Sequence, residues 1–178
     1  MPPGARPTSG RAREAVFSIL HDSLPGASVL DLYAGSGALG LEAVSRGAAR
    51  STLVERDCSA IDRNIERLGL SPEAAEVLRG DAAKAVKLLV RRGERFDLVF
   101  SDPPYGASWK DLVPPDSERL LAPGGLLILQ VDRPARLLAD PEQWSLVKRR
   151  DFGRNIFLFL APSSSALDLP TPEGFDRR

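Results

Sequence analysis

Short apolar segments with the pattern of buried strands alternate with segments of helical periodicity through most of this chain. The strand patterns fall at residues 29–32, 52–55, 76–79, 96–100 and 126–131. The intervening helical patterns fall at residues 38–45, 58–68 and 82–90. Because a strand–helix–strand connection makes consecutive strands parallel, with right-handed crossovers, this alternation predicts a doubly wound, mostly parallel α/β sheet.

Three further segments are predicted outside this alternation. Apolar residues recur at helical spacing over about residues 9–21, which predicts a first helix ahead of the first strand. A short helix is predicted at residues 116–121. The Pro-Gly-Gly sequence at residues 123–125 predicts a turn from which the fifth strand starts.

The end of the chain departs from the alternation. Residues 144–150 and 155–160 have strand patterns and are separated only by the short turn 151–153. A connection this short predicts an antiparallel β-hairpin, which brings the sheet to seven strands. Residues 162–178 are rich in serine, proline and charge, so we expect a disordered tail after one domain at residues 1–161.

Composition argues against several classes of site. The 178 residues contain one cysteine, Cys58, and one histidine, His21. A single cysteine excludes an intramolecular disulfide, and the two counts together argue against a metal centre or a Ser-His-Asp triad. No apolar stretch approaches the ~18 residues of a membrane span, and no signal peptide is visible. We therefore expect a soluble, cytoplasmic protein without metal or membrane contact.

A glycine-rich turn joins the first strand to the first helix of the alternation, at residues 31–40. Gly35 and Gly37 allow a tight turn and the close approach of a ligand to the backbone. Glu55, at the end of the second strand, is placed to accept hydrogen bonds from ribose hydroxyls. Residues 35–40 also match the dinucleotide fingerprint, so a nicotinamide or flavin site is an alternative at this point.

Acidic residues at the ends of the strands favour a different ligand. Asp31 would repel a pyrophosphate and attract a sulfonium or ammonium group. Asp81, at the end of the third strand, would suit an adenine amino group. Amino acid, ribose and adenine together describe S-adenosylmethionine, although the acids could instead cap helices. We expect the first helix to pack over the cofactor side of the domain. The residues assigned to cofactor binding are Asp31, Tyr33, Gly35, Ser36, Gly37, Glu55, Arg56, Asp81, Ala82 and Asp102.

The fourth strand runs out into the sequence Asp102, Pro103, Pro104, Tyr105. The prolines fix φ and remove two backbone donors, so the loop presents a row of acceptors beside an aromatic ring. An exocyclic NH2 on a planar base fits such a row, and we assign these four residues to catalysis. The alternative is a proline-rich turn with a surface tyrosine.

The formal net charge is zero, but the basic residues are clustered. One cluster lies near the N-terminus and the other near the hairpin: Arg6, Arg11 and Arg13, and Lys148, Arg149, Arg150 and Arg154. We assign both clusters to nucleic-acid binding. The alternatives are a solvated surface, and, for Arg6 and Arg11, a structural role in holding the first helix over the site.

These motifs resemble the class I methyltransferases that modify exocyclic amino groups. The chain is most similar to the bacterial 16S ribosomal RNA guanine-N2-methyltransferases, whose hallmarks match residues 6–17 and 31–43. The similarity extends over residues 6–160. It implies a Rossmann-like fold, S-adenosylmethionine as cofactor, and a guanine of ribosomal RNA, within a small-subunit particle, as acceptor. We expect a monomer.

Other functions remain open on sequence alone. Another amino-group methyltransferase, acting on adenine N6 or on a protein glutamine, would use the same acceptor loop. A nicotinamide-dependent oxidoreductase is disfavoured by Asp31, and a non-catalytic RNA-binding protein by the intact acceptor loop. Members of the resembled family usually carry a basic β-hairpin before the first motif, where this chain has only residues 1–5.

Overall fold

A mixed sheet forms the centre of the protein. The computed structural model describes residues 10–103, 108–132, 143–153 and 155–163, and within them seven strands pair in the order β3-β2-β1-β4-β5-β7-β6. The strands are β1 (Ser28–Leu32), β2 (Arg50–Glu55), β3 (Ala75–Arg79), β4 (Phe96–Ser101), β5 (Leu121–Asp132), β6 (Trp144–Phe152) and β7 (Asn155–Pro162). The first five strands are parallel, and β7 is antiparallel to both of its neighbours.

Helices cover both faces of this sheet. They are α1 (Gly10–Ile19), α2 (Ala38–Ser45), α3 (Ser59–Leu68), α4 (Ala82–Arg91) and α5 (Trp109–Leu112), with short 3-10 helices at His21–Ser23 and Ser117–Leu120. The predicted doubly wound α/β fold with a C-terminal hairpin is confirmed. No helix in the described ranges is both long enough and apolar enough to span a bilayer.

Alternate residues of the strands point to opposite faces of the sheet, where buried side chains form separate clusters. On the face that we call the α4 face, Leu89 of α4 and Leu112 of α5 pack in one cluster with Leu158 of β7. On the opposite face, the α1 face, Phe17 of α1 packs in a cluster with Phe157 of β7. The same alternation directs the charged residues of β6 to one face or the other.

The fifth strand begins earlier than predicted. Phe96 of β4 pairs with Leu121, and Leu98 with Leu126, so residues 122–125 form an irregularity within β5 rather than a turn before it. A Cβ atom at Gly125 would lie 2.9 Å from the carbonyl oxygen of Phe96, so the close approach of the two backbones requires glycine here. The prediction of a strand start at residue 126 was therefore wrong.

Other element ends also differ from the prediction. The first helix ends at Ile19, and His21 lies in the separate 3-10 helix, whereas the predicted helix continued to residue 21. The short helix predicted at residues 116–121 is a 3-10 helix at Ser117–Leu120. Phe152 pairs with Asn155, so residues 151 and 152, predicted as turn, belong to β6. Strand β7 ends at Pro162, and residues 164–178 lie outside the described part of the chain.

Candidate functional site

The carboxyl ends of the parallel strands meet at one edge of the sheet. Leu32 at the end of β1 pairs with Val54 of β2 and with Ser101 of β4. Glu55, the last residue of β2, and Asp102, which follows β4, are therefore neighbours at this edge. Open α/β sheets bind ligands at this edge, where the strand order reverses around the first strand.

The turn after β1 adopts a backbone that requires its glycines. Gly35 and Gly37 have φ values of 58° and 79°, in the left-handed region. A Cβ atom at Gly37 would in addition lie 2.9 Å from Leu41 Cδ1. The side chain of Asn64 on α3 donates a 2.8 Å hydrogen bond to the carbonyl oxygen of Ser36 and so ties the turn to that helix. The sequence analysis did not predict a role for Asn64. The hydrogen bond joins residues that are 28 positions apart, and no local sequence pattern indicates it.

The Glu55 carboxylate links this turn to β2. Its Oε2 atom accepts a hydrogen bond from the Gly35 N–H at 2.8 Å, and its Oε1 atom accepts one from the Arg56 N–H at 2.7 Å. An ionised carboxylate has about four acceptor positions. Within the described part of the chain no other hydrogen bond reaches this carboxylate, so two acceptor positions remain for a ligand, which is the number that a ribose diol needs.

Asp31 is buried beneath the turn. Its side chain is only 1% exposed, and its Oδ2 atom accepts a 2.8 Å hydrogen bond from the Gly40 N–H in the first turn of α2. Burial, opposed in part by this hydrogen bond and reinforced by the charges of Asp102 and Glu55, raises the pKa of Asp31 to about 7. Asp31 thus serves the first turn of a helix, as the capping alternative proposed, and its contact with a ligand stays a prediction.

Asp81 also caps a helix. Its Oδ1 atom accepts hydrogen bonds from the N–H groups of Ala83 and Lys84 at the start of α4. Its Oδ2 atom is 2.6 Å from Nη2 of Arg56, a side chain that is 78% exposed. This hydrogen bond lowers the pKa of Asp81. Acceptance of an adenine amino group by Asp81 stays a prediction, and so does a cofactor contact of Ala82, the first residue of α4.

Tyr33 connects the glycine turn to helix α5, which the sequence analysis did not predict. Its hydroxyl donates a 2.6 Å hydrogen bond to the carbonyl oxygen of Asp111, and the phenol is half-buried. Burial, together with the nearby charge of Asp111, raises the pKa of Tyr33 to about 12. Ser101, at the end of β4, donates a 2.7 Å hydrogen bond to the carbonyl oxygen of Leu112. Helix α5 is therefore held to the ends of both β1 and β4.

A local signal for α5 was present in the sequence. Ser108 and Asp111 form a capping box, in which the Asp111 carboxylate accepts from the Ser108 N–H at 2.8 Å. The Ser-x-x-Asp spacing marks such a helix start. It was missed because α5 has only four residues and too little apolar periodicity to register.

The catalytic residues assigned from the sequence are only partly within the described ranges. Asp102 and Pro103 follow β4 directly, and both are half-buried. The charge of Asp102 contributes to the raised pKa of Asp31, so the two carboxyls are electrostatic neighbours. Pro104 and Tyr105 lie outside the described residues.

The basic residues assigned to RNA differ in their surroundings. Arg11 is exposed at the start of α1, but Arg13 lies 3.8 Å from Glu42 of α2. Arg13 thus helps to fasten α1 to α2, a structural role that the sequence analysis considered for Arg6 and Arg11 but not for Arg13. Arg149 pairs with Asp151 at 2.9 Å. Arg6 and Arg154 lie outside the described residues.

The sequence analysis predicts no metal site, and the described residues can be compared with that expectation. Among residues 10–103, 108–132, 143–153 and 155–163, no group of three or more histidine, cysteine, aspartate or glutamate side chains is arranged to hold a metal ion. The buried Cys58 thiol donates to the carbonyl oxygen of Glu55 at 3.3 Å.

The sheet order, the glycine turn and the acidic strand ends define a class I methyltransferase fold. The solved structure of a putative methyltransferase, yhhF from Escherichia coli, has a TM-score of 0.76 at 31% identity, covering 90% of this chain and 89% of that one. A second solved structure, a putative methyltransferase complexed with SAH, has a TM-score of 0.65 at 16% identity, covering 83% of this chain and 48% of that one. At that identity it supports the fold alone.

Sequence comparison places the chain more narrowly. Residues 1–161 match the family described as Conserved hypothetical protein 95. Ribosomal RNA small subunit methyltransferase D of Escherichia coli (strain K12) is 35% identical over 155 residues, which are 85% of this chain and 77% of that protein. The chain therefore belongs to this family of ribosomal RNA methyltransferases.

Proposed function

We propose that this protein transfers a methyl group from S-adenosylmethionine to the exocyclic N2 amine of a guanine in 16S ribosomal RNA. The observation that carries the proposal is the proximity of two groups at one sheet edge. The Glu55 carboxylate is fixed against the glycine turn with acceptor positions to spare, and the Asp102-Pro103 acceptors follow the neighbouring end of β4. The family relationship to ribosomal RNA methyltransferases supports RNA as the acceptor.

The residues present fit S-adenosylmethionine. The free positions of Glu55 suit the ribose hydroxyls, and the backbone turn at Gly35 and Gly37 lets a ligand approach closely. Asp31 supplies negative charge beneath the turn when it is ionised, which favours a sulfonium or ammonium group. Asp81 and the start of α4 border the adenine position. When bound, the cofactor supplies a methyl group that its positive sulfur has already activated.

The acceptor side of the reaction depends on orientation. The lone pair of a guanine amine is delocalised into the ring, so the amine is a weak nucleophile. Hydrogen bonds from its NH2 group to the Asp102 carboxylate and the Pro103 carbonyl favour a pyramidal nitrogen whose lone pair faces the methyl group. Stacking of the base on Tyr105 contributes about 1–3 kcal/mol. Proximity and alignment supply much of the remaining acceleration, and Asp102 or solvent takes the proton.

The partner that follows from this proposal is ribosomal RNA within a small-subunit particle in the cytoplasm, bound by a monomer. A base within an RNA helix must be unstacked to reach the edge of the sheet. Basic residues near α1 and in the C-terminal hairpin would neutralise the phosphates around it. Arg6, Arg11, Arg13 and the basic residues of the hairpin remain the candidates.

The test is transfer of tritiated methyl groups from S-adenosylmethionine into small-subunit particles and into naked ribosomal RNA, followed by identification of the modified base. Asp102→Ala should abolish most transfer while cofactor affinity, measured by calorimetry, stays close to that of the wild type. Asp22→Ala is the matched control, since Asp22 is exposed in the 3-10 helix that precedes β1, at the opposite edge of the sheet.

Each alternative has its own outcome in this assay. Label in adenine N6 or in a protein glutamine would replace the guanine assignment by one of the other amino-group acceptors. Binding of NAD in the calorimeter, with no response to S-adenosylmethionine, would overturn the cofactor assignment. Equal activity of Asp102→Ala and wild type would remove the acceptor role of this loop.

A further inference from the structure

Three consecutive basic residues of β6 point to alternate faces of the sheet. Lys148 and Arg150 pair with Phe159 and Phe157 of β7, and Arg149 pairs with Leu158. Residues paired directly across neighbouring strands lie on the same face. Both phenylalanines belong to the core of the α1 face, and Leu158 belongs to the core of the α4 face. Lys148 and Arg150 therefore share the α1 face, and Arg149 lies on the other.

The positive charge of Arg149, on the α4 face, is neutralised by an ion pair. Nε and Nη2 of Arg149 donate to the two carboxylate oxygens of Asp151, at 2.9 and 3.2 Å. This two-bond geometry uses the fork of the guanidinium on one carboxylate. Arg149 consequently offers little net charge to a phosphate.

The residues on the α1 face retain their charge. Within the described ranges, no ion pair joins Lys148 or Arg150 to an acidic side chain. Arg150 donates one hydrogen bond, from Nη1 to the Arg149 carbonyl oxygen, which leaves most of its donors for a ligand. Arg11 is exposed on α1, the helix that packs on this same face. Among the described residues, the α1 face near β6 thus carries positive charge that no acidic side chain pairs with.

Strand register sets the position of Arg150 relative to the acceptor loop. Arg150 pairs with Phe157, which pairs with Gln130 of β5. The preceding residue of β5, Leu129, pairs with Ser101, so Gln130 is level with Asp102. Three strand spacings separate β6 from β4 in the sheet order. At about 4.8 Å each, the backbone at Arg150 is about 14 Å from that at Asp102, along the same edge of the sheet.

We propose that Lys148 and Arg150 form a phosphate stripe on the α1 face of β6, which holds the RNA backbone beside the nucleotide that enters the acceptor loop, and that Arg149 takes no part. This inference rests on the proposed function and narrows it. Charge complementarity identifies the occupant as a polyanion, and a separation of about 14 Å suits phosphates a few nucleotides from the reacting base. The stripe positions RNA without reading its sequence.

The test compares three variants that each lose one positive charge: Lys148→Gln, Arg149→Gln and Arg150→Gln. Binding of a labelled fragment of small-subunit ribosomal RNA is measured by fluorescence anisotropy from 50 to 200 mM salt, with wild-type protein alongside. Because the net charge falls equally in all three, any difference between them reports position. Loss of one phosphate contact should reduce the log–log salt slope by about 0.7–0.9 in Lys148→Gln and in Arg150→Gln. Arg149→Gln should keep the wild-type slope, and Arg150→Lys should restore it.

Equal slopes in the three Gln variants, or the largest loss in Arg149→Gln, would overturn the phosphate stripe. Wild-type methyl transfer, measured in parallel, separates this failure from failure of the proposed function. If the wild type methylates the RNA and Arg150→Gln shows an unchanged KM for RNA, the stripe is wrong and the function stands. If the wild type transfers no methyl group but Arg150→Gln still lowers the salt slope, the function is wrong and the stripe stands.

Discussion

Replacement of Asp31 by asparagine should make the protein more stable at alkaline pH. Asp31 is buried under the first turn of α2, where its carboxyl accepts the Gly40 N–H. Asparagine has nearly the same shape, and its amide oxygen accepts the same hydrogen bond. It carries no charge, so the cost of burying an ion disappears.

The magnitude follows from the pKa of Asp31. In the unfolded chain the group has its ordinary pKa of 3.8, and in the folded protein the pKa is about 7. Between these values the folded state binds the additional proton, so the free energy of unfolding falls as the pH rises through this window. The difference between the two pKa values corresponds to a maximum of about 4 kcal/mol, and relaxation around a buried ion reduces it to about 2–4 kcal/mol.

The assay is urea unfolding of the ligand-free wild type and Asp31→Asn at pH values from 5 to 8. At pH 5 the Asp31 carboxyl is largely protonated in the folded protein but already ionised in the unfolded chain, so the variant should be more stable than the wild type by only about 1–2 kcal/mol. At pH 8 the variant should be more stable by about 2–4 kcal/mol. Asp22→Asn, at an exposed site near the opposite edge of the sheet, should follow the wild type throughout. A variant that differs from wild type by the same amount at pH 5 and pH 8 would refute the reasoning.

Asp31→Asn should weaken cofactor binding, although it stabilises the folded protein. If the ionised Asp31 attracts the positive charge of S-adenosylmethionine, Asp31→Asn should weaken binding by about 1–3 kcal/mol in calorimetry. The wild type should also release protons when it binds the cofactor near pH 7, because a nearby cation lowers the pKa of Asp31. A gain in stability with a loss of affinity is the compromise expected where a buried charge is kept for binding.

Two further substitutions examine the packing of the site. Gly40→Ala places a Cβ atom 2.6 Å from Ser51 Oγ and should lower the free energy of unfolding by about 1–3 kcal/mol in urea titrations. Gly10→Ala is the control, because its Cβ atom meets nothing within 4 Å, and it should change the free energy of unfolding by less than about 1 kcal/mol. Equal effects of the two alanines would contradict the close approach of α2 to β2. Tyr33→Phe removes the donor to the Asp111 carbonyl oxygen, which should lower the free energy of unfolding by about 1 kcal/mol and speed amide hydrogen exchange in α5. Unchanged exchange in α5 would contradict the proposed connection between Tyr33 and this helix.

Local patterns determined the fold class and much of the site. The helix at Ala38–Ser45 has the predicted ends, and the helices at Ser59–Leu68 and Ala82–Arg91 lie within one residue of them. Hydrophobic periodicity is a property of a few successive residues, so it can be recognised without knowledge of the rest of the chain. The glycine turn and the acidic residues that end consecutive strands were recognisable for the same reason, because parallel topology brings strand ends to one edge.

The extent of β5 was decided by tertiary contacts. The Pro-Gly-Gly segment has the composition of a turn, but pairing with β4 draws the residues on both of its sides into one strand. Only the closeness of Gly125 to the Phe96 carbonyl explains why the segment forms an irregularity instead. That contact joins residues 29 positions apart, and no local propensity encodes it.

The roles of the charged residues were likewise decided by tertiary structure. Sequence shows Asp31 as an acid next to a glycine turn, but not that α2 would bury it and raise its pKa. It shows Arg149 and Arg150 as equal members of one basic run. Pairing with β7 directs them to opposite faces and brings Arg149 to Asp151. The physical reason is that burial and charge compensation depend on which atoms of distant segments come together, and strand register, rather than composition, determines that.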